Sequence, residues 1–259
     1  MHMFTRRTAV PLACTLGAMA CGILSIIASI EGDMLPASQL ILLALVLDGL
    51  DGKLARTFKA TSAFGAEMDT YVDFLCFGVA PAVLARQIAL KNMGVAGVAL
   101  PLLLIMSGAM RLSRFRVMDA HRGARGFTGL PITVAGSWVA LWGYLEAGGA
   151  LGAFGLSLTR GPVSALVWAC LAVFGLLQIS RIHYAKTSAH TLIFSAGVLL
   201  IAALFLDLGA GSAAALALVG YGFYYALVSP IVPALKGLAW LDVDASDETL
   251  EPESEEQTP

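Results

Sequence analysis

The sequence predicts an all-α fold, a polytopic integral membrane bundle of about eight transmembrane helices, each span needing about 20 apolar residues. Three observations carry that prediction. Hydrophobic residues make up 58% of the 259-residue chain and charged residues 13%, against about 25% charged in ordinary soluble domains. The mean hydropathy is correspondingly high, at +0.80. Apolar runs of spanning length then follow one another along the chain, and the basic residues gather at one side of them.

Taken in order, the first run covers 8–30 behind Arg6 and Arg7. It is too long for a signal-peptide core and lacks a clear A-x-A cleavage site, so it reads as a retained first span. The second and third runs, 37–57 and 64–89, are joined by a short polar hairpin and carry the only concentrated acids of the apolar body. Runs at 93–115, 129–147, 161–180, 189–207 and 211–235 complete the set. No tandem repeat of solenoid type is visible.

Eight spans put both termini on the same side. With that side cytoplasmic, inner ends collect Arg6, Arg7, Lys53, Arg56, Lys59, Arg111, Arg114, Arg116, Arg122, Arg125, Arg181, Lys186 and Lys236, leaving Arg86, Lys91 and Arg160 outside. The positive-inside rule therefore predicts cytoplasmic termini in a cytoplasmic membrane. Residues 1–240 form the membrane domain. In the remaining segment, 241–259, stand Asp242, Asp244, Asp247, Glu248, Glu251, Glu253, Glu255 and Glu256, eight of the eighteen acids. That composition reads as a disordered, solubilising acidic tail. The four cysteines lie in apolar runs without a CxxC pair, which suggests neither disulfides nor zinc. No nucleic-acid partner is expected.

The stretch from Asp48 to Asp73 carries the chemistry. A charge near the bilayer centre costs about 2.5–3.5 kcal/mol on insertion scales, so four carboxylates in two adjacent spans require neutralisation. Asp48, Asp51, Gly52 and Ala55 are spaced by three and four residues and share one helix face. Gly65, Asp69 and Asp73 repeat every fourth residue and form a second stripe. At 1.5 Å per residue the acids of both spans lie about 8–14 Å below their cytoplasmic ends. Facing carboxylates without His or Cys suit magnesium or manganese. The small residues Gly52, Ala55 and Gly65 admit a close ligand, and helix packing explains them equally well. Arg56 reaches the same polar pocket and suits phosphate.

The full spacing is D-x2-D-G-x2-A-R-x8-G-x3-D-x3-D, with every fixed position filled by Asp48, Asp51, Gly52, Ala55, Arg56, Gly65, Asp69 and Asp73. It resembles the signature of the CDP-alcohol phosphotransferase family, membrane enzymes that move a phosphoalcohol from a CDP-linked donor to an acceptor hydroxyl. The resemblance implies two divalent ions, Mg2+ or Mn2+, held by Asp48, Asp51, Asp69 and Asp73. It further implies Asp48, Gly52, Ala55, Arg56, Gly65 and Asp69 around the CDP diphosphate, and Asp73 as the catalytic base. Such a carboxylate beside two cations is a weak base, so the acceptor hydroxyl must itself be acidified.

Downstream, Cys76-Phe77-Gly78-Val79-Ala80-Pro81-Ala82, the Arg111–Arg116 segment and Gly129-Leu130-Pro131 are similar to the phosphatidylserine synthase branch of that family. The branch usually has serine where Cys76 stands and an asparagine near Leu12. It implies CDP-diacylglycerol and L-serine as substrates, in a homodimer surrounded by membrane lipid. The serine carboxylate calls for a cation, and Arg111, Arg114 and Arg125 are the candidates, although positive-inside anchoring accounts for arginines at this level too. Other acceptors within the class are glycerol 3-phosphate, inositol phosphate and choline. A cation-coupled transporter is the alternative from a different class.

Overall fold

A computed structural model describes residues 6–118, 127–159, 161–184, 191–206, 208–228 and 230. The expected acidic tail, Arg122 and Arg125 fall outside the described residues. Helix α1 spans Arg6–Glu31, and α2 follows over Met34–Thr57 after a two-residue turn. Such a short connection makes the pair antiparallel, and α1 packs along α2 through Ala18, Ala37, Ile41 and Ala44, all fully buried.

Helix α3 runs over Ala63–Leu90. Ser62 caps it, its hydroxyl accepting from the Gly65 N–H at 3.0 Å, as a helix start requires. Immediately after Asp73 the helix widens into π-helical turns, Phe74–Val79, before returning to α geometry. Wide turns of this kind often mark functional sites. Here they turn Cys76 and Phe77 fully into the core.

Helix α4, Ala96–Met118, carries the arginine cluster in its last two turns and packs along both α7 (Gly161–Ile179) and the widened part of α3. Between them stand α5 (Ile132–Ala147) and the single turn α6 (Ala150–Ala153). The last described helices are α8 (Thr191–Ala203) and α9 (Leu208–Phe223), the latter extended by π turns over Tyr224–Val228. Trp138 of α5 anchors the far core, with ring centroids 5.7 Å from Trp142, 4.9 Å from Phe174 and 5.3 Å from Phe223.

Two short strands, β1 (Phe127–Thr128) and β2 (His183–Tyr184), pair antiparallel beside the arginine end of α4. The next residue, Gly129, has φ +81°, and a Cβ there would strike the Gln178 carbonyl oxygen and lie 2.5 Å from an Arg114 Nη2. Only glycine fits this turn.

Among the described residues, five helical segments are long and apolar enough to cross a membrane by length and composition: Thr8–Glu31, Met34–Thr57, Ala63–Leu90, Ala96–Val117 and Gly209–Val228. The other three expected spans correspond to helices of 16, 19 and 13 residues, α5, α7 and α8. Helix α5 stops at a Gly148–Gly149 turn, with Gly149 at φ +76°, while α7 and α8 adjoin residues outside the described ones. Large apolar side chains stand exposed on the outer faces of α1 and α4, including Leu24, Ile30, Met106 and Met110. That is how a helix presents itself to lipid rather than to water.

Candidate active site

The two acidic stripes meet. Asp48 and Asp51 project from α2 and Asp69 from α3, each with a carboxylate oxygen within 4.8 Å of the others. Asp73, one turn further along α3, joins them, for the Asp48 carboxyl lies in hydrogen-bonding reach of both Asp69 and Asp73. Asp51 is buried, and the other three are half-buried. One oxygen of Asp73, Oδ1, is buried without a hydrogen-bond partner.

These observations test whether a divalent cation fits. Carboxylates this close repel one another unless a proton or a cation lies between them. A buried acceptor with no donor is the kind of group a ligand satisfies. The donor set is oxygen only, and the nearest thiol, Cys76, is turned away to donate to the Ala18 carbonyl at 3.2 Å. Hard oxygens in this arrangement suit Mg2+ or Mn2+. The residues fit the group.

Around the acids, Arg56 curls back along its own helix, its Nη1 3.7 Å from where a Cβ on Gly52 would stand. Gly52 and Ala55 are half-buried and Arg56 is exposed, so a flat, low surface lies beside an exposed guanidinium. Gly65 has a local duty as well: its N–H is the one capped by Ser62, and a Cβ would crowd that hydroxyl at 3.2 Å.

The arginines at the end of α4 divide by their partners. Arg111 is buried at 5% exposure, over the Phe115 ring at 6.0 Å, with Asp73 and Tyr225 as its electrostatic neighbours. Arg114 spends its guanidinium on main-chain carbonyls: Nη1 donates to Ile179 at 3.1 Å, and Nη2 donates to Thr128 at 2.8 Å and Gln178 at 3.2 Å. It therefore ties the end of α7 and strand β1 to α4. Arg116 pairs with Glu67 and donates to the Ala66 carbonyl, which fastens α4 to the first turns of α3. A groove of about 400 Å³ lined by Met110, Arg111, Ser113, Arg114, Val117 and Ile179 runs along this end of the bundle.

Three contributors are not apparent in the sequence. Thr15 of α1 donates to Asp51 Oδ2 at 2.5 Å, Glu67 partners Arg116, and Tyr225 comes from the π-helical extension of α9 to stand near Arg111. A lone threonine or tyrosine in an apolar run carries no periodic signal. Glu67 lies within the motif stretch at a position its pattern leaves variable.

Residues 8–161 match the CDP-alcohol phosphatidyltransferase family. The chain is 32% identical over 170 residues to the CDP-diacylglycerol–serine O-phosphatidyltransferase of Helicobacter pylori (strain ATCC 700392 / 26695), covering 66% of this chain and 69% of that one. It is 30% identical over 186 residues to the Bacillus subtilis (strain 168) protein of the same name, covering 71% and 95%. To the archaetidylserine synthase of Methanothermobacter thermautotrophicus it is 42% identical over 116 residues, 44% of this chain and 48% of that one. A match over more than half the chain, on the helices that bring the four aspartates together, makes this protein a membrane enzyme of the CDP-alcohol phosphatidyltransferase family.

Proposed function

We propose that the enzyme transfers a phosphatidyl group from CDP-diacylglycerol to L-serine, forming phosphatidylserine and releasing CMP. The observation that carries this reading is the pairing of two poles. Asp48, Asp51 and Asp69 converge within 4.8 Å, and buried Arg111 lies next to Asp73. The named activity of the Helicobacter and Bacillus relatives supports serine as the acceptor.

In this reading Asp48, Asp51, Asp69 and Asp73 hold two divalent ions, Mg2+ or Mn2+, whose charge when bound neutralises the donor diphosphate and the departing CMP. Arg56 contacts the phosphates, and Gly52, Ala55 and Gly65 keep the helix surfaces low enough for the CDP moiety. Arg111 receives the serine carboxylate; Arg125 is the further candidate for it, and Arg114 contributes its charge while holding that end of the bundle together. Asp73 Oδ1 accepts the serine hydroxyl proton as that oxygen bonds to phosphorus and the phosphorus–oxygen bond to CMP breaks. Arg111 beside Asp73 sets a fixed positive charge at the acceptor end of the site. Most of the chemistry is then positioning and electrostatics.

The same proposal holds eight spans with both termini cytoplasmic, a site open to the cytoplasm, and donor acyl chains entering sideways from the inner leaflet. Residues 1–240 are the membrane domain and 241–259 its acidic cytoplasmic tail. The enzyme is integral to the cytoplasmic membrane and homodimeric.

The test is CMP release from CDP-diacylglycerol by purified protein in detergent with Mn2+. The arms are serine, glycerol 3-phosphate, inositol phosphate, choline and no acceptor, with Asp73→Ala as control. Serine-dependent release, lost in the control, is expected. Release with a different acceptor overturns serine and keeps the family chemistry. Cation movement across vesicles without CMP release with any acceptor would bring the transporter reading forward.

A further inference from the structure

We infer that Thr15, on a helix outside the aspartate motif, is a positioning residue for the metal-binding carboxylates, and that α1 sets the register between the two acidic stripes. The inference rests on the proposed divalent-cation site and adds a residue to it. Thr15 and Asp51 are 7% and 5% exposed, and their 2.5 Å hydrogen bond is the length of a charge-assisted O–H···O⁻ bond. The Thr15 hydroxyl has one proton and two acceptors in reach. The Pro11 carbonyl, at 3.1 Å, is the poorer one, so the proton points to Asp51.

The bond holds the Asp51 carboxylate in one rotation about its Cβ–Cγ axis and turns its remaining lone pairs to the other acids. Partners of this kind orient ligands, and their loss typically costs about 10–100-fold in metal affinity. One turn along the same face of α1, the Ala18 carbonyl accepts from Cys76 Sγ of α3 at 3.2 Å. Another turn along, a Cβ on Gly22 would stand 2.6 Å from that sulfur. Helix α1 thus touches α2 at a ligand and α3 three residues beyond a ligand. Only close approach at Gly22 lets both contacts form together.

The experiment measures Mn2+ binding by electron paramagnetic resonance on the purified full-length protein in detergent, beside thermal unfolding without metal. Thr15→Val keeps the shape and removes the donor, Thr15→Ala serves if valine does not fold, and Thr15→Ser restores the hydroxyl. Ser25→Ala is the matched control, because Ser25 makes another buried α1–α2 bond, to the Ala37 carbonyl at 2.8 Å, without touching an acid. Expected is a roughly 10–100-fold weaker Mn2+ Kd in Thr15→Val or Thr15→Ala. Thr15→Ser should return near the parent value, and Ser25→Ala should lose thermal stability alone. Parent-like affinity in both Thr15→Val and Thr15→Ala overturns the inference, as does an equal loss in Ser25→Ala. If the parent protein binds no Mn2+ that Asp51→Asn abolishes, the metal reading falls and this one with it.

Discussion

The acidic stripes of α2 and α3 gather four aspartates and the basic end of α4 three arginines, Arg111, Arg114 and Arg116, and the two treat their charge in opposite ways. Asp48, Asp51 and Asp69 converge on one another with Asp73 beside Asp48, and Thr15 donates its hydroxyl to Asp51. Arg114 and Arg116 are consumed by the protein itself, on three carbonyls and on Glu67 with the Ala66 carbonyl. Like charges drawn together inside a membrane protein are held ready for a ligand, because their repulsion has to be compensated. Charges already matched to backbone and counter-charge hold elements in place. Arg111 stands at the boundary, buried among protein yet adjacent to Asp73.

The sharpest way to break this contrast is at the acids. Asp48→Asn and Asp69→Asn should each reduce CMP release by about a hundredfold or more, since each would remove a charged ligand from the proposed paired-cation site. Excess Mn2+ should restore part of it. Full activity in either variant would dissolve the acidic pole as a ligand site.

Arg111→Gln tests the boundary residue. A hydrogen bond to a charged group is worth about 1.5–3 kcal/mol, so the serine KM should rise about tenfold or more while the donor KM holds. A serine KM that does not move would make the whole basic end structural.

Arg114→Ala separates holding from binding. Hydrogen bonds inside membrane proteins average about 0.6 kcal/mol each, so three amount to about 2 kcal/mol. The thermal unfolding temperature should fall clearly, and the serine KM should rise less than in Arg111→Gln. An unchanged unfolding temperature would contradict the clamp.

The smallest effect belongs to the Glu67–Arg116 pair, whose side chains are 52% and 19% exposed. A Glu67→Gln and Arg116→Gln double-mutant cycle should give about 0.2–1 kcal/mol of coupling, weakening as salt is added. Coupling well beyond that range would turn the pair into a principal support of the site.

Much of the site is legible in the sequence. Asp48, Asp51, Asp69 and Asp73 are found by counting threes and fours along two apolar runs, because helix periodicity is a local property. The span pattern is less so: α5 begins only at Ile132, after Gly129 and Pro131, inside its apolar run, since hydropathy does not register where a helix starts. The arginines mislead most. Arg111 and Arg114 are one turn apart in like surroundings of sequence, and only the distances to Ile179, Thr128 and Gln178 separate a clamp from a candidate ligand.

Composition and periodicity alone determined that this chain is a helical membrane protein with facing carboxylate stripes suited to divalent cations. They did so because burial in lipid and the 3.6-residue turn act on every residue through its near neighbours. The tertiary structure alone decided that Thr15 donates to Asp51, that Cys76 donates to α1 instead of joining the acids, and that Arg114 is engaged while Arg111 stands beside Asp73. Those outcomes depend on partners far along the chain, whose hydrogen bonds exist only once the helices have packed.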